Sequence, residues 1–318
     1  MSATTTPALR GVLAPVLTPF DANGTPSTAR LVRHCRWLLE QDVGLALFGT
    51  NSEANSLSLV EKRKLLDALV EAGVPPERML PGTGACAVTD AVELTRHAVA
   101  AGCAGVLMLP PFYYKGVSDD GLFRFFAQVI DQVADARLRI YLYHIPPVTQ
   151  VPLGLSLIER LLTAFPGTIA GVKDSGGDWA HTQAMLERFQ PGGFDVFAGS
   201  ETFLLQTMRA GGAGCITATG NVNPKAIVQM YRGWQSADAD AQQERLNATR
   251  ALFQKHPMIP AMKAAIAARS GDAGWALIRP PLVALEASAR RQLEAELDDA
   301  GFDIPRASTL ALVECSKT

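Results

Sequence analysis

Apolar residues in this chain follow two rhythms that alternate along its length. Short, nearly continuous apolar runs, the pattern of strands buried on both faces, lie at 11–17, 44–48, 79–83, 105–109, 139–143, 168–173, 194–197 and 214–217. Each is followed by a stretch with an apolar stripe at helical spacing. These stretches lie at about 27–41, 58–72, 88–101, 118–133, 155–164 and 179–189, with two more ending at Ala210 and near Trp234. In the first, Leu31, Cys35, Leu38 and Leu39 share one stripe. Ser58 followed by Glu61 resembles a capping box and marks the start of the second. Eight strand–helix units within roughly 225 residues have the count and size of a (β/α)8 TIM barrel. A doubly wound sheet is the alternative, but it usually has fewer strands. Beyond Ser236 the pattern is helical only. The expected organisation is therefore an α/β barrel with the active site over 8–236 and a C-terminal helical extension over 237–318.

Composition narrows the class. The chain has 318 residues, is 48% hydrophobic and carries a formal charge of −2, so it has no basic field to attract nucleic acid or an anionic membrane. Its longest apolar runs are far below a membrane-spanning length. Met1 to Pro7 reads as a disordered leader, without the basic-then-apolar order of a signal peptide. Cys35, Cys86, Cys103, Cys215 and Cys315 are odd in number and scattered, which fits a reducing, cytoplasmic setting. His34, His97, His144, His181 and His256 show no metal-ligand spacing. No metal and no cofactor is expected.

In such barrels chemistry sits where the strands end. The strand ends here offer Thr50-Asn51-Ser52-Glu53, Thr83, Tyr113 and Tyr114, Tyr143, Lys173, Gly199-Ser200-Glu201 and Thr217-Ala218-Thr219. This set holds one amine nucleophile, Lys173, at the end of the run before Gly176-Gly177. By period-2 alternation Lys173 shares a face with Ile169 and Gly171. An ordinary lysine titrates near ~10.4, so a nucleophilic amine at neutral pH needs desolvation or a neighbouring charge. An amine with no metal cluster points to Schiff-base chemistry on a carbonyl substrate. Tyr143, on the preceding strand and the same face as Tyr141, is the candidate proton carrier. Thr50 and Asn51 open a turn able to hold a carboxylate.

These residues resemble those of the dihydrodipicolinate synthase / N-acetylneuraminate lyase family of class I pyruvate-dependent aldolases. The resemblance runs from Gly11 to about Pro305. It is carried by Leu17-Thr18-Pro19-Phe20, Gly49-Thr50-Asn51-Ser52-Glu53, Pro111-Phe112-Tyr113-Tyr114, Tyr141-Leu142-Tyr143-His144-Ile145-Pro146 and Gly171-Val172-Lys173-Asp174. It implies that Lys173 forms an imine with pyruvate or another 2-oxo acid, and that Tyr143 moves protons to and from the adduct. It implies that Thr50 links Tyr143 to a further tyrosine from a neighbouring subunit, either Tyr113 or Tyr114, in a homotetramer or dimer of dimers. Thr50 and Asn51 would hold the 2-oxo acid carboxylate, and Gly199 and Ile216 would line the pyruvate end. An aldehyde would be the second substrate.

Three departures bear on that partner. Asn51 and Ser52 stand where the family most often has a hydroxyl residue and a glycine, and His144 stands where asparagine is frequent. Asn51, with Lys173 to Asp178, is similar to 4-hydroxy-2-oxoglutarate aldolase. Val148 occupies the position of the arginine that binds the acceptor carboxylate in true dihydrodipicolinate synthases. The expectation is therefore an acceptor whose distal end is uncharged, hydroxylated or apolar, unless another basic residue such as Lys115 reaches in. Two rivals are a genuine 4-hydroxy-tetrahydrodipicolinate synthase and a barrel that binds a small acid as a sensor without turnover.

Overall fold

The computed structural model describes residues 9–312. The Met1–Pro7 segment and Cys315 lie outside those residues. Seven strands form one parallel sheet: β1 (Gly11–Ala14), β2 (Gly44–Leu45), β3 (Val106–Met108), β4 (Ile140–His144), β5 (Ile169–Asp174), β6 (Asp195–Ala198) and β7 (Gly214–Ile216). Their order is β2-β1-β7-β6-β5-β4-β3. Residues 79–83, expected as a strand, complete the circle only through isolated bridges, Leu45 to Met79 and Gly82 to Leu107. Pro81 has no N–H to donate, so it interrupts a continuous ladder. The segment is still held from both sides. Leu80 and Gly82 donate to the Leu45 and Leu47 carbonyls at 2.8 and 2.7 Å, and Leu107 donates to the Pro81 carbonyl at 2.8 Å. The sheet is thus curled into a barrel. Strand one is shorter than the sequence pattern suggests, because Pro15 cannot continue its pairing.

The helices that cover the barrel are α1 (Thr28–Glu40), α2 (Leu59–Glu71), α3 (Val88–Ala100), α4 (Asp119–Val133), α5 (Pro146–Thr149), α6 (Leu155–Ala164), α7 (Trp179–Phe189), α8 (Leu204–Arg209) and α9 (Pro224–Arg232). The Ser58–Glu61 capping box forms as expected, with Ser58 Oγ accepting from the Glu61 amide at 3.2 Å and Glu61 accepting from the Ser58 amide at 2.8 Å. The one-turn helix α5 was not anticipated; Pro146 opens it, a position where a missing N–H costs nothing. After α9 come α10 (Ala239–Gln254), α11 (Met258–Ser270) and α12 (Ala287–Asp299). α10 packs on α8 and α9 and on the turn that begins at Glu201. Among the described residues no helix is long and apolar enough to cross a membrane.

Two apolar layers result. An inner cluster includes Leu13, Leu80, Leu107, Tyr141, Tyr143, Phe197 and Ile216. An outer layer fills the space between strands and helices. Burial of each such aliphatic side chain contributes about 1.5–3 kcal/mol. The strand carrying Lys173 corrects the simple alternation. Ile140 pairs with Ile169, but Tyr141 pairs with Gly171, so Ala170 is bulged out of the ladder. Ile169 therefore packs in the outer layer with Val172, while Gly171 and Lys173 face inward. Gly171 leaves room that a side chain would lack, since a Cβ there would fall 2.7 Å from the Tyr141 ring.

Candidate active site

β4 and β5 run in register so that Tyr143 pairs with Lys173. Lys173 is 1% exposed and Tyr143 is 2% exposed. Lys173 Nζ donates to the Tyr143 hydroxyl at 3.1 Å and lies 4.2 Å from its ring centroid. The Tyr143 hydroxyl lies 3.2 Å from Thr50 Oγ1. Burial alone would push the Tyr143 phenol up. The Lys173 charge and the hydroxyls of Thr50 and Ser175 outweigh it and hold the phenol below its ordinary value. The phenol is thus moved toward neutrality, the direction that suits a proton carrier.

Thr50 is delivered by a tight turn that follows β2. The Ser52 hydroxyl accepts from the Gly49 amide at 3.1 Å, and its carbonyl accepts from the Thr18 hydroxyl at 2.7 Å. Ser52 thus ties the turn shut. Glu53 then takes a left-handed conformation, φ 56°, and pairs with buried Lys263 of α11.

The lysine, tyrosine and Asn51 line a cavity of about 300 Å³, with Gly199, Ser175, Ser200, Thr202, Arg250 and Gln254 on its walls. Gly199 is required there, because a Cβ would sit 2.0 Å from Ser175 Oγ. Ile216 is fully buried in the inner cluster beneath the site. Two larger cavities, of about 450 and 690 Å³, lie at the Tyr141–Asp195 end of the barrel and between α9 and α10; neither is lined by a lysine.

Three of the expected residues sit apart from this cavity. Tyr113 and Tyr114 are 73% and 72% exposed, with their rings edge-to-face at 5.4 Å. Val148 is 59% exposed on α5 and does not line the cavity. Lys115 is engaged nearby, donating to the carbonyls of Phe112 and, at 2.8 Å, Thr149.

Other groups were not anticipated. The histidines show no metal-ligand spacing along the chain, but β4, β5 and α7 bring ligand atoms of His144, Asp174 and His181 within 4.8 Å of one another. Their rings stack at 4.5 Å, and Asp174 accepts from Thr182 Oγ1 at 2.6 Å and from the Gly176 amide at 2.8 Å. His144 Nδ1 accepts from the Leu153 amide at 3.0 Å, which leaves the proton on Nε2, the nitrogen facing Asp174. His181 Nδ1 bonds Asp174 at 3.4 Å, while the protonated His144 Nε2 stands 4.0 Å from it, a tautomer that does not suit a metal ligand. Burial, partly offset by Asp174, brings His144 down to about 4, while its bond to Asp174 raises His181.

The second surprise is Arg250. The sequence offers only Lys115 as a cation for the acceptor half, yet α10 places this guanidinium in the cavity wall. Its Nη1 donates to Glu201 at 2.7 Å and to Thr217 Oγ1 at 3.2 Å. Ser175 could have been found by alternation, two residues beyond Lys173. Arg250 could not, since only the fold brings α10 to the strand ends.

Residues 8–300 match the model of the dihydrodipicolinate synthetase family. An uncharacterized DapA-like lyase of Chloroflexus aurantiacus is 33% identical over 280 residues, covering 87% of this chain and 92% of that protein. A 4-hydroxy-tetrahydrodipicolinate synthase of Acidiphilium cryptum is 30% identical, covering 92% of this chain and 98% of that one. Dihydrodipicolinate synthase from Agrobacterium tumefaciens superposes with a TM-score of 0.84 at 33% identity, over 92% of this chain and 99% of that one. YagE from E. coli K12, solved in complex with pyruvate, superposes at 0.83 with 28% identity, over 92% and 99%. With its parallel barrel and the match over nearly its whole length, the chain belongs to the dihydrodipicolinate synthetase family of lyases.

Proposed function

We propose that the protein is a class I aldolase or lyase acting on a 2-oxo acid, pyruvate in the simplest case, with an aldehyde as second substrate. The reading rests on one observation: Lys173 Nζ and Tyr143 Oη, both buried, and half-buried Thr50 Oγ1 form a chain of 3.1 and 3.2 Å contacts at the strand ends. In this reading the Lys173 amine adds to the keto carbon, water leaves and an iminium forms. The iminium draws off a methyl proton through Tyr143 and yields an enamine. The enamine carbon attacks the aldehyde carbon, the new alkoxide takes a proton, and water releases the product and restores the amine. Cleavage is the reverse. Asn51 and Thr50 hold the 2-oxo carboxylate beside Gly199 and above Ile216.

We also read the chemistry as metal-independent, the setting as cytoplasmic from the cysteine usage, and residues 237–318 as a helical extension of the barrel. The exposed Tyr113–Tyr114 pair supports a homotetramer or dimer of dimers in which one of the two reaches a neighbour's Thr50. A rival is the 4-hydroxy-tetrahydrodipicolinate synthase named among the relatives.

Borohydride reduction with pyruvate should fix one adduct per chain, and peptide mass spectrometry should place it on Lys173. Labelling elsewhere sinks the proposal. Tyr143→Phe should fold normally and lose ~10²–10⁴-fold in kcat; a near-native rate would make Tyr143 a packing residue. A chelator should leave the rate unchanged, and sedimentation should find no active monomer.

A further inference from the structure

We infer that Arg250 binds a carboxylate on the distal end of the aldehyde substrate, replacing from α10 the cation that Val148 lacks. The inference rests on the Schiff-base reading above, which makes the cavity at Lys173 the place where two substrates meet.

The charged residues lining that cavity are Lys173, Asp174 and Arg250. Lys173 is committed to the imine. Asp174 is committed to Thr182, the Gly176 amide and His181. Arg250 is different. Its side chain is 12% exposed, and its carboxylate partner Glu201, 1% exposed, is not itself a lining residue. Glu201 therefore stands behind the guanidinium. It is held there by the hydroxyls of Thr217 and Thr219, both of which donate to it.

Donor counting shows what remains. A guanidinium has five N–H donors in a rigid fork. Only Nη1 is spent on Glu201 and Thr217, and Nε is buried without a protein partner. A buried N–H left unmet costs about 1–3 kcal/mol, so this edge of the fork favours a second acceptor. Gln254, four residues on, shares the same face of α10 and lines the same wall. A planar anion is the group that a guanidinium edge beside an amide recognises best. The expectation from Val148 alone, an uncharged distal end, is thereby reversed.

The test compares acceptors with pyruvate as the common donor. Glyoxylate and succinic semialdehyde carry the carboxylate; acetaldehyde and butanal do not. Wild type should favour the carboxylated aldehydes in kcat/KM. The double variant Arg250→Met/Glu201→Gln removes the pair without stranding a buried charge, and Arg250→Lys keeps the charge without the fork. Both should lose about 10–100-fold with the carboxylated aldehydes, the range of a charged hydrogen bond, mostly through KM. Both should change less than threefold with the neutral ones. Borohydride trapping of pyruvate at Lys173 should survive in both. Equal losses with all four aldehydes, or a wild type without preference, would overturn the inference and make Arg250 structural. A raised KM for pyruvate itself would also overturn it, since the arginine would then hold the donor. Failure of trapping in wild type would instead fell the Schiff-base reading.

Discussion

Two buried carboxylate–cation pairs tie the helices after the barrel to loops at its strand ends, and they differ in one respect. Glu53, in the turn after β2, meets Lys263 of α11; both side chains are 0% exposed. Lys263 also donates to the Leu277 carbonyl at 3.0 Å and lies 4.5 Å from the Phe20 ring centroid, so its ammonium is enclosed on all sides seen. Glu201, after β6, meets Arg250 of α10, whose fork borders the cavity. The same pairing serves two ends. A sealed pair fixes a loop, here the one that carries Thr50. An open pair fixes a cation and leaves it free to meet a ligand. Which a given pair does is decided by what covers it, not by the residues in it.

The contrast breaks most easily at the sealed pair. Lys263→Met leaves Glu53 buried without its cation and should cost about 3–5 kcal/mol in a urea melt. Adding Glu53→Gln should restore most of that, because a whole buried pair can be removed with little net loss. A loss under about 1 kcal/mol for Lys263→Met would rank it with surface bridges and erase the distinction. Arg250→Met should be milder, about 1–2 kcal/mol, since Thr217 and Thr219 still donate to Glu201. A larger loss would make the second pair a clamp like the first.

The smallest effect lies in the histidines beside the site. His144 titrates near 4 in the fold and near ~6.5 unfolded, so its contribution is present above about 6.5 and lost as pH falls toward 4. His181 is raised, so its contribution is present below about 6.5 and lost as pH rises through its folded value. The two windows adjoin at about 6.5, with His144 acting below it and His181 above it. His181→Gln should therefore abolish the loss of stability above about 6.5 and, by removing a charge that holds His144 down, make the acid loss below it shallower. An unchanged slope would mean that the pair does not share Asp174 as the geometry suggests.

The barrel and its lysine were legible because buried parallel strands and amphipathic helices leave different periods. Lys173, Tyr143, Thr50, Asn51 and Gly199 fall at strand ends, where position along the chain nearly fixes position in space. Residues 79–83 were read as a regular strand because their apolar content is that of one; Pro81 removes a donor without changing hydropathy. Arg250 was missed for another reason. It lies in a helix whose sequence is polar and solvent-like, and nothing local says that one turn of it reaches the strand ends beside Lys173. The His144–Asp174–His181 cluster joins three elements for which spacing in sequence carries no information.

The bulge at Ala170 matters to anyone who would transplant this site. Continued alternation from Ile169 would turn position 173 toward the helices; the extra residue turns it into the barrel. A graft that copied the lysine and its neighbours onto an unbulged strand would deliver the amine to the wrong side of the wall. The unit to be moved is a lysine together with the irregularity that aims it.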